Sequence, residues 1–247
     1  MKRFTPLLFS VAVFAVLAMA MSARPVNAAV IYQDDFSGDG TANLAGTTPD
    51  TTTGGNTWTA STDWKNDGAA AATGTADDDD NAFLAFTPTS GNVYTLTASL
   101  ATPSDGANTT MWGAIGFTDT NTLTNAFWDN GTTPWVLYRE NKAVVTFDGP
   151  GTSGDAGEGN FSGPITYTIV LDTTNASNWT AQWLVNGSEV RAAESVGTPT
   201  INYVGLGRAS GAGVDFSSFS LTAVPEPGSL ALLGTGLLGL LCLRRRK

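Results

Sequence analysis

Along residues 92–100, NVYTLTASL, apolar and polar positions alternate. Tyr94, Leu96, Ala98 and Leu100 fall on one face, and Val93, Thr95, Thr97 and Ser99 on the other. A period of two is the signature of a half-buried β-strand. ITYTIVL repeats it with Ile165, Tyr167, Ile169 and Leu171 on one face. In WTAQWLVNGSEV the apolar set is Trp179, Ala181, Trp183 and Val185, and the Asn186-Gly187 dipeptide that follows suits the positive φ angles of a tight hairpin. Shorter half-apolar runs predict strands at 30–32, 111–117, 135–138, 143–147, 203–206 and 216–221. Gly, Asn, Asp and Thr fill the gaps, as turns require.

Many short strands without intervening helices predict an all-β body. Its expected architecture is an antiparallel two-sheet sandwich of the jelly-roll type. No fixed-period repeat points to a β-helix. Residues 39–81 break the pattern, being rich in Thr, Gly, Ala and Asp with Trp58 and Trp64 as their few apolar anchors. This stretch predicts a long surface excursion carrying two short strands, one at 58–60 and one at 82–86.

The two ends are patterned differently. Lys2 and Arg3, an apolar stretch over 7–21 and the small-residue exit Val26-Asn27-Ala28 have the order of a secretory signal peptide, with cleavage expected after Ala28. The alternative, a first membrane helix, lacks a following stop-transfer charge cluster. At the other end, Pro225-Glu226-Pro227 precedes an uncharged, leucine-rich run over 229–243 and then Arg244, Arg245, Arg246 and Lys247. As a helix that run would cover about 22 Å, short for a stable span. Its basic end would stay on the cytoplasmic side and leave the preceding domain outside the inner membrane. The resulting domain plan is a signal peptide over 1–28, a β-sandwich over 29–223 and a tail over 224–247.

Charge narrows the partners. Over 29–224 five basic residues (Lys65, Arg139, Lys142, Arg191 and Arg208) face 21 acidic ones, a net of −16. Such a body repels phosphate backbones, which argues against nucleic acid and leaves cations and neutral polymers. Histidine is absent and the one cysteine, Cys242, lies in the terminal apolar run. That inventory excludes His- or Cys-ligated zinc, Ser-His-Asp triads, Cys-His pairs and disulfides within the body.

Two resemblances follow from these segments. The triplet, the glycine-containing leucine run and the basic end together closely resemble the PEP-CTERM sorting tail of exported bacterial proteins. The resemblance implies recognition by a membrane-embedded exosortase that cuts near the triplet, and release or transfer of the body to the cell surface. A proline-stiffened linker before an ordinary tail anchor is the alternative. The order of IYQDDFSG, MWGAIGFTD, PWVLYREN, TIVLDTTNASNWTAQWLVNG and INYVGLGRASGAGVDFSSFSLT is similar to the concanavalin A-like (laminin G-like) sandwich, a fold that hosts lectins, glucanases and adhesive modules.

Three kinds of chemistry are open to the body. Glucanases of this fold use carboxylates in the order Glu-x-Asp-x-x-Glu, which the four body glutamates, Glu140, Glu158, Glu189 and Glu194, do not form. A hydrolase is therefore a distant expectation and no catalytic residue is assigned. Asp34, Asp35 and Asp215 lie on the first and last strands, which commonly adjoin in such sandwiches. They are expected to approach one another and could hold calcium, a cation that takes several hard oxygens; turn-capping is the alternative. The tract Asp77–Asp80 is expected to be a solvated loop held open by like charge, with a cation site as the second reading. Trp58, Trp64 and Trp128, in loop-like text beside Asp and Asn, are expected to stack on sugar rings, against the alternative that they anchor loops in the core. Trp112, Trp135, Trp179 and Trp183 sit in alternating strands and are assigned to the core.

The expected function is that of an exported, surface-sorted protein acting in adhesion or in an exopolysaccharide or biofilm matrix. A calcium-dependent lectin-like module is the main rival.

Overall fold

The computed structural model describes residues 28–37, 42–66, 71–73, 79–101, 110–124, 127, 133–149, 156–209 and 214–226. Residues 1–27 of the expected signal peptide, Trp128, Pro227 and the basic end 244–247 lie outside the described residues, as do Asp77 and Asp78. Residues Ala28–Val224 form one compact unit.

In chain order the strands are β1 (Ala29–Asp34), β2 (Ala42–Asn43), β3 (Thr51–Thr52), β4 (Thr59–Ala60), β5 (Trp64–Asn66), β6 (Ala71–Thr73), β7 (Asp80–Ala85), β8 (Asn92–Leu100) and β9 (Trp112–Thr118). They continue as β10 (Trp135–Arg139), β11 (Ala143–Phe147), β12 (Ala156–Asn160), β13 (Ile165–Asp172), β14 (Trp179–Val185), β15 (Ser188–Gly197), β16 (Tyr203–Ala209) and β17 (Asp215–Pro225). The first sheet has the order β15-β14-β13-β8-β17-β6-β5-β2, with β1 paired to both β17 and β3. The second runs β12-β11-β10-β9-β16-β7-β4. The body is an all-β antiparallel sandwich.

The alternation read from the sequence sets the registers. Leu96 lies opposite Ile169, and Ile169 opposite Trp183, so three inward rows coincide across β8, β13 and β14. A slip of one residue would turn every one of those side chains outward. On the outer face Ser99 and Thr166 bond through their hydroxyls at 3.0 Å and Thr97 and Thr168 at 3.4 Å. Asn186 and Gly187 make the β14–β15 turn with φ of 51° and 76°, as the two-residue hairpin requires.

The second sheet is apolar on both faces. Ile115 and Phe117 of β9 enter the core between the sheets, whereas Ala114 and Trp112 join an outer cluster with Phe83, Phe127, Trp135, Leu137, Val145 and Phe147. Trp135 stacks on Phe147 with ring centroids 3.7 Å apart. Glycines floor this cluster. A Cβ on Gly207 would stand 2.3 Å from the Phe127 ring, and one on Gly116 would stand 2.4 Å from Trp135 Cβ. The trough they leave is filled by Phe127, which is buried.

The stretch expected as a surface excursion is instead part of both sheets. Leu44, Trp58 and Trp64 are buried, and five short strands, β2 to β6, fall within it. Asp80 also departs from expectation. It opens β7 on the inner face, is nearly inaccessible to solvent, and pairs with the fully buried Arg208 directly across the strand.

Candidate functional site

Two features of the first sheet's β1–β17 ladder carry chemistry, one at each end. The ladder runs from Ala29 opposite Ala223 to Asp34 opposite Phe219.

At the Asp34 end, Asp34, Asp35 and Asp50 each offer a carboxylate oxygen within 4.8 Å of the other two. Local backbone geometry builds this corner. Phe36 takes a φ of 56°, which turns the chain after β1, and its N–H donates to Asp34 Oδ1 at 2.9 Å. The Ser37 N–H donates to Asp35 Oδ1 at 2.9 Å, and the Asp35 N–H to Asp50 Oδ2 at 2.9 Å. Asp34 is buried and its second oxygen accepts from Trp58 Nε1 at 2.7 Å. Burial raises the Asp34 pKa above the ordinary carboxylate value; the bonds from Trp58 and Phe36 oppose that rise, and the charges of Asp50 and Asp35 add to it. Hydrogen bonds from Ser37 chiefly hold exposed Asp35 below the usual range. Three carboxylates at this separation repel unless one is protonated or a cation lies among them.

The structure thus brings Asp34 and Asp35 together, with Asp50 as third partner. Asp215 lies elsewhere, at the opposite end of β17 from Val224, where it pairs with Ala72 of β6 and its carbonyl accepts from the Ala101 N–H at 2.8 Å. Phe219, the partner of Asp34, is four residues further on, so strand pairing places Asp34 beyond reach of Asp215. Sequence reading passed over Asp50. Its signal was slight, an aspartate after Thr-Thr-Pro in turn-like text.

Trp58 and Trp64 do not offer stacking faces. Both are buried, Trp58 edge-on to Phe219 at 5.1 Å and Trp64 tilted against Phe216 at 5.9 Å. Their expected role in sugar contact is corrected to core anchoring, because each indole closes the sandwich beneath β17. Trp112, Trp135 and Trp183 are buried as expected, and Trp179 packs against the core.

Glu158, Glu189 and Glu194 are engaged locally. Glu158 accepts from Thr146 Oγ1 at 2.7 Å, Glu194 pairs with Arg191 at 2.6 Å, and Glu189 accepts from Gln182. Arg191 also reaches from β15 to the second sheet, bonding the Thr146 carbonyl at 3.2 Å and Asp148 at 3.1 Å.

At the other end of the ladder β17 finishes at Pro225, and Pro225 and Glu226 are exposed. A family model described as a PEP-CTERM protein-sorting motif matches residues 223–247. The chain ends in a PEP-CTERM sorting motif. Among the described residues no helix is long and apolar enough to cross a membrane.

Solved structures place the body among known folds. An endo-1,3-β-glucanase from Streptomyces sioyaensis matches 82% of this chain and 98% of its own at 13% identity, with a TM-score of 0.54. A structure from work on endo-acting O-glycanases of the human gut microbiota matches 80% and 99% at 9% identity, with a TM-score of 0.50. A Bacillus subtilis protein with a galectin-like fold matches 80% and 97% at 10% identity, with a TM-score of 0.48. At these identities the likeness to the first two is one of fold, and fold leaves catalysis unsettled. No curated protein sequence matches the chain.

Proposed function

We propose that the PEP-CTERM chain is exported behind a signal peptide over 1–28, held at the inner membrane by its tail over 224–247, and sorted by an exosortase-type protease to the cell surface. There the non-catalytic sandwich over 29–223 acts in adhesion or in an exopolysaccharide or biofilm matrix. The observation that carries this reading is the sorting motif at 223–247 joined directly to the last strand of an antiparallel sandwich whose fold is similar to that of a glucanase. Pro227 completes the triplet, and Arg244, Arg245, Arg246 and Lys247 hold the tail's end in the cytoplasm.

With Trp58 and Trp64 in the core, contact with a neutral glycan falls to the outer face of the first sheet. Thr95, Thr97, Ser99, Thr166, Thr168 and Thr180 point outward there beside a single charged residue of those strands, Asp172. A row of hydroxyl donors and acceptors with little charge suits weak, repeated contact with a polyhydroxylated polymer. Retention of the purified body on neutral polysaccharide columns tests this. Retention that falls several-fold in a Thr97→Val/Thr168→Val variant with unchanged melting is expected. Turnover of any polysaccharide would overturn the non-catalytic reading, and saturable binding of one defined sugar would favour a lectin.

The acidic corner supports calcium as the cofactor of that rival, now with Asp50 in place of Asp215. A raised folded-state pKa means that folding holds a proton on Asp34 more tightly than the unfolded chain does. The stabilising contribution is present below the ordinary carboxylate value and is lost as pH rises through the raised one. A cation should restore it. At neutral pH calcium is expected to raise the melting temperature of the wild type and leave an Asp35→Asn/Asp50→Asn variant unmoved; equal shifts in both would remove the site.

A further inference from the structure

The sorting triplet leaves no spacer between itself and the folded sheet. β17 runs to Pro225, with Ala223 opposite Ala29 and Thr222 opposite Val30, while Leu221 is fully buried across from Tyr32. Along its other edge β17 adjoins β8, so it is an interior strand and not a free edge. Ala223 and Val224 are half-buried, and exposure begins at Pro225. Among the described residues directly before the triplet, 215–224 all belong to this strand.

Proteases hold their substrates as extended strands, through the same backbone N–H and C=O groups that a sheet uses. Residues 221–223 already spend those groups inside the body. A folded segment is cut through its transiently opened form, at a rate that follows the population of that form when opening and closing are fast.

We infer that the β1–β17 pairing gates removal of the sorting tail: the sorting protease gains the residues on the body side of its cut only when the C-terminal end of β17 has peeled away from β1. This rests on the sorting reading above and adds to it the element that sets the rate. In the reaction one peptide bond breaks. Its carbonyl carbon passes to water or to an acceptor amine, and the tail departs with a free amine. Peeling is local, because beyond Leu221 the strand end is only half-buried, at Thr222, Ala223 and Val224, while the fully buried anchors Leu221, Phe219 and Phe216 lie deeper. Val30, the exposed large hydrophobic side chain among the described residues, sits on the partner strand at this end and gives an approaching membrane-bound partner an apolar contact.

The test follows tail loss by pulse-chase and intact mass, using the full chain in a host that carries a sorting protease. A six-residue Gly/Ser spacer inserted between Val224 and Pro225 leaves the body untouched and supplies unpaired chain. It is expected to speed tail removal about fivefold or more, the factor corresponding to one modest opening step. A Val30→Cys/Thr222→Cys variant, cross-linked in the oxidising exported compartment, is expected to slow removal about tenfold until reductant is added, and to recover on receiving the spacer. Spacer and wild type losing their tails at equal rates would overturn the gate. Should no form lose its tail, the wild type included, the sorting reading fails and the gate with it.

Discussion

Replacing Asp80 with alanine is expected to cost the body about 3–5 kcal/mol, the range for removing one partner of a buried ion pair. Arg208 has no solvent-accessible side-chain surface and Asp80 almost none, and the two meet within the core face of β7 and β16. Without the carboxylate, the guanidinium loses one of its charge partners in an interior that Ala82 and Leu206 flank along the two strands. Urea unfolding checks the value. Glu194→Ala is the control, since that carboxylate is exposed and its pairing with Arg191 should contribute less than about 1 kcal/mol. A double Asp80→Ala/Arg208→Met variant should recover much of the loss, because a buried pair replaced by apolar side chains is often neutral. If Asp80→Ala unfolds at the wild-type midpoint, the pair does not carry the role described.

Trp58 should be nearly as sensitive. Its indole is buried between Phe36 and Phe219, and truncation to alanine removes that packing and opens a cavity, an expected loss of about 3–5 kcal/mol. Trp58→Phe separates the two parts of the effect. The ring stays, but Asp34 loses the Nε1 donor at 2.7 Å, and a buried carboxylate short of one bond costs about 1–3 kcal/mol. That cost should shrink at acid pH, where Asp34 is protonated. A Trp58→Ala protein that melts like the wild type yet loses polysaccharide retention would return this residue to the ligand surface.

What the sequence made legible was whatever had a period. β8, β13 and β14 are seven to nine residues long with uninterrupted alternation, so their inward faces could be named residue by residue. The strands between 42 and 73 are two or three residues long, and no alternation can be measured over so few positions. There the polar residues around Trp58 and Trp64 read as loop text, although the two indoles are core. Asp80 was hidden for a different reason. Its pairing with Arg208 spans 128 residues of sequence, and the four-aspartate run gave no hint that one member turns inward. The acidic corner was half visible: Asp34 and Asp35 adjoin a recognisable strand, but Asp50 is brought to them by a turn and by β3, a strand of two residues.

The glycine floor beneath Phe127 has a consequence for any ligand on the second sheet. A guest seeking that hollow meets a phenyl group already tethered to the same chain, at an effective concentration that for short tethers reaches the millimolar range. It would have to outbid this intramolecular rival before gaining any affinity of its own.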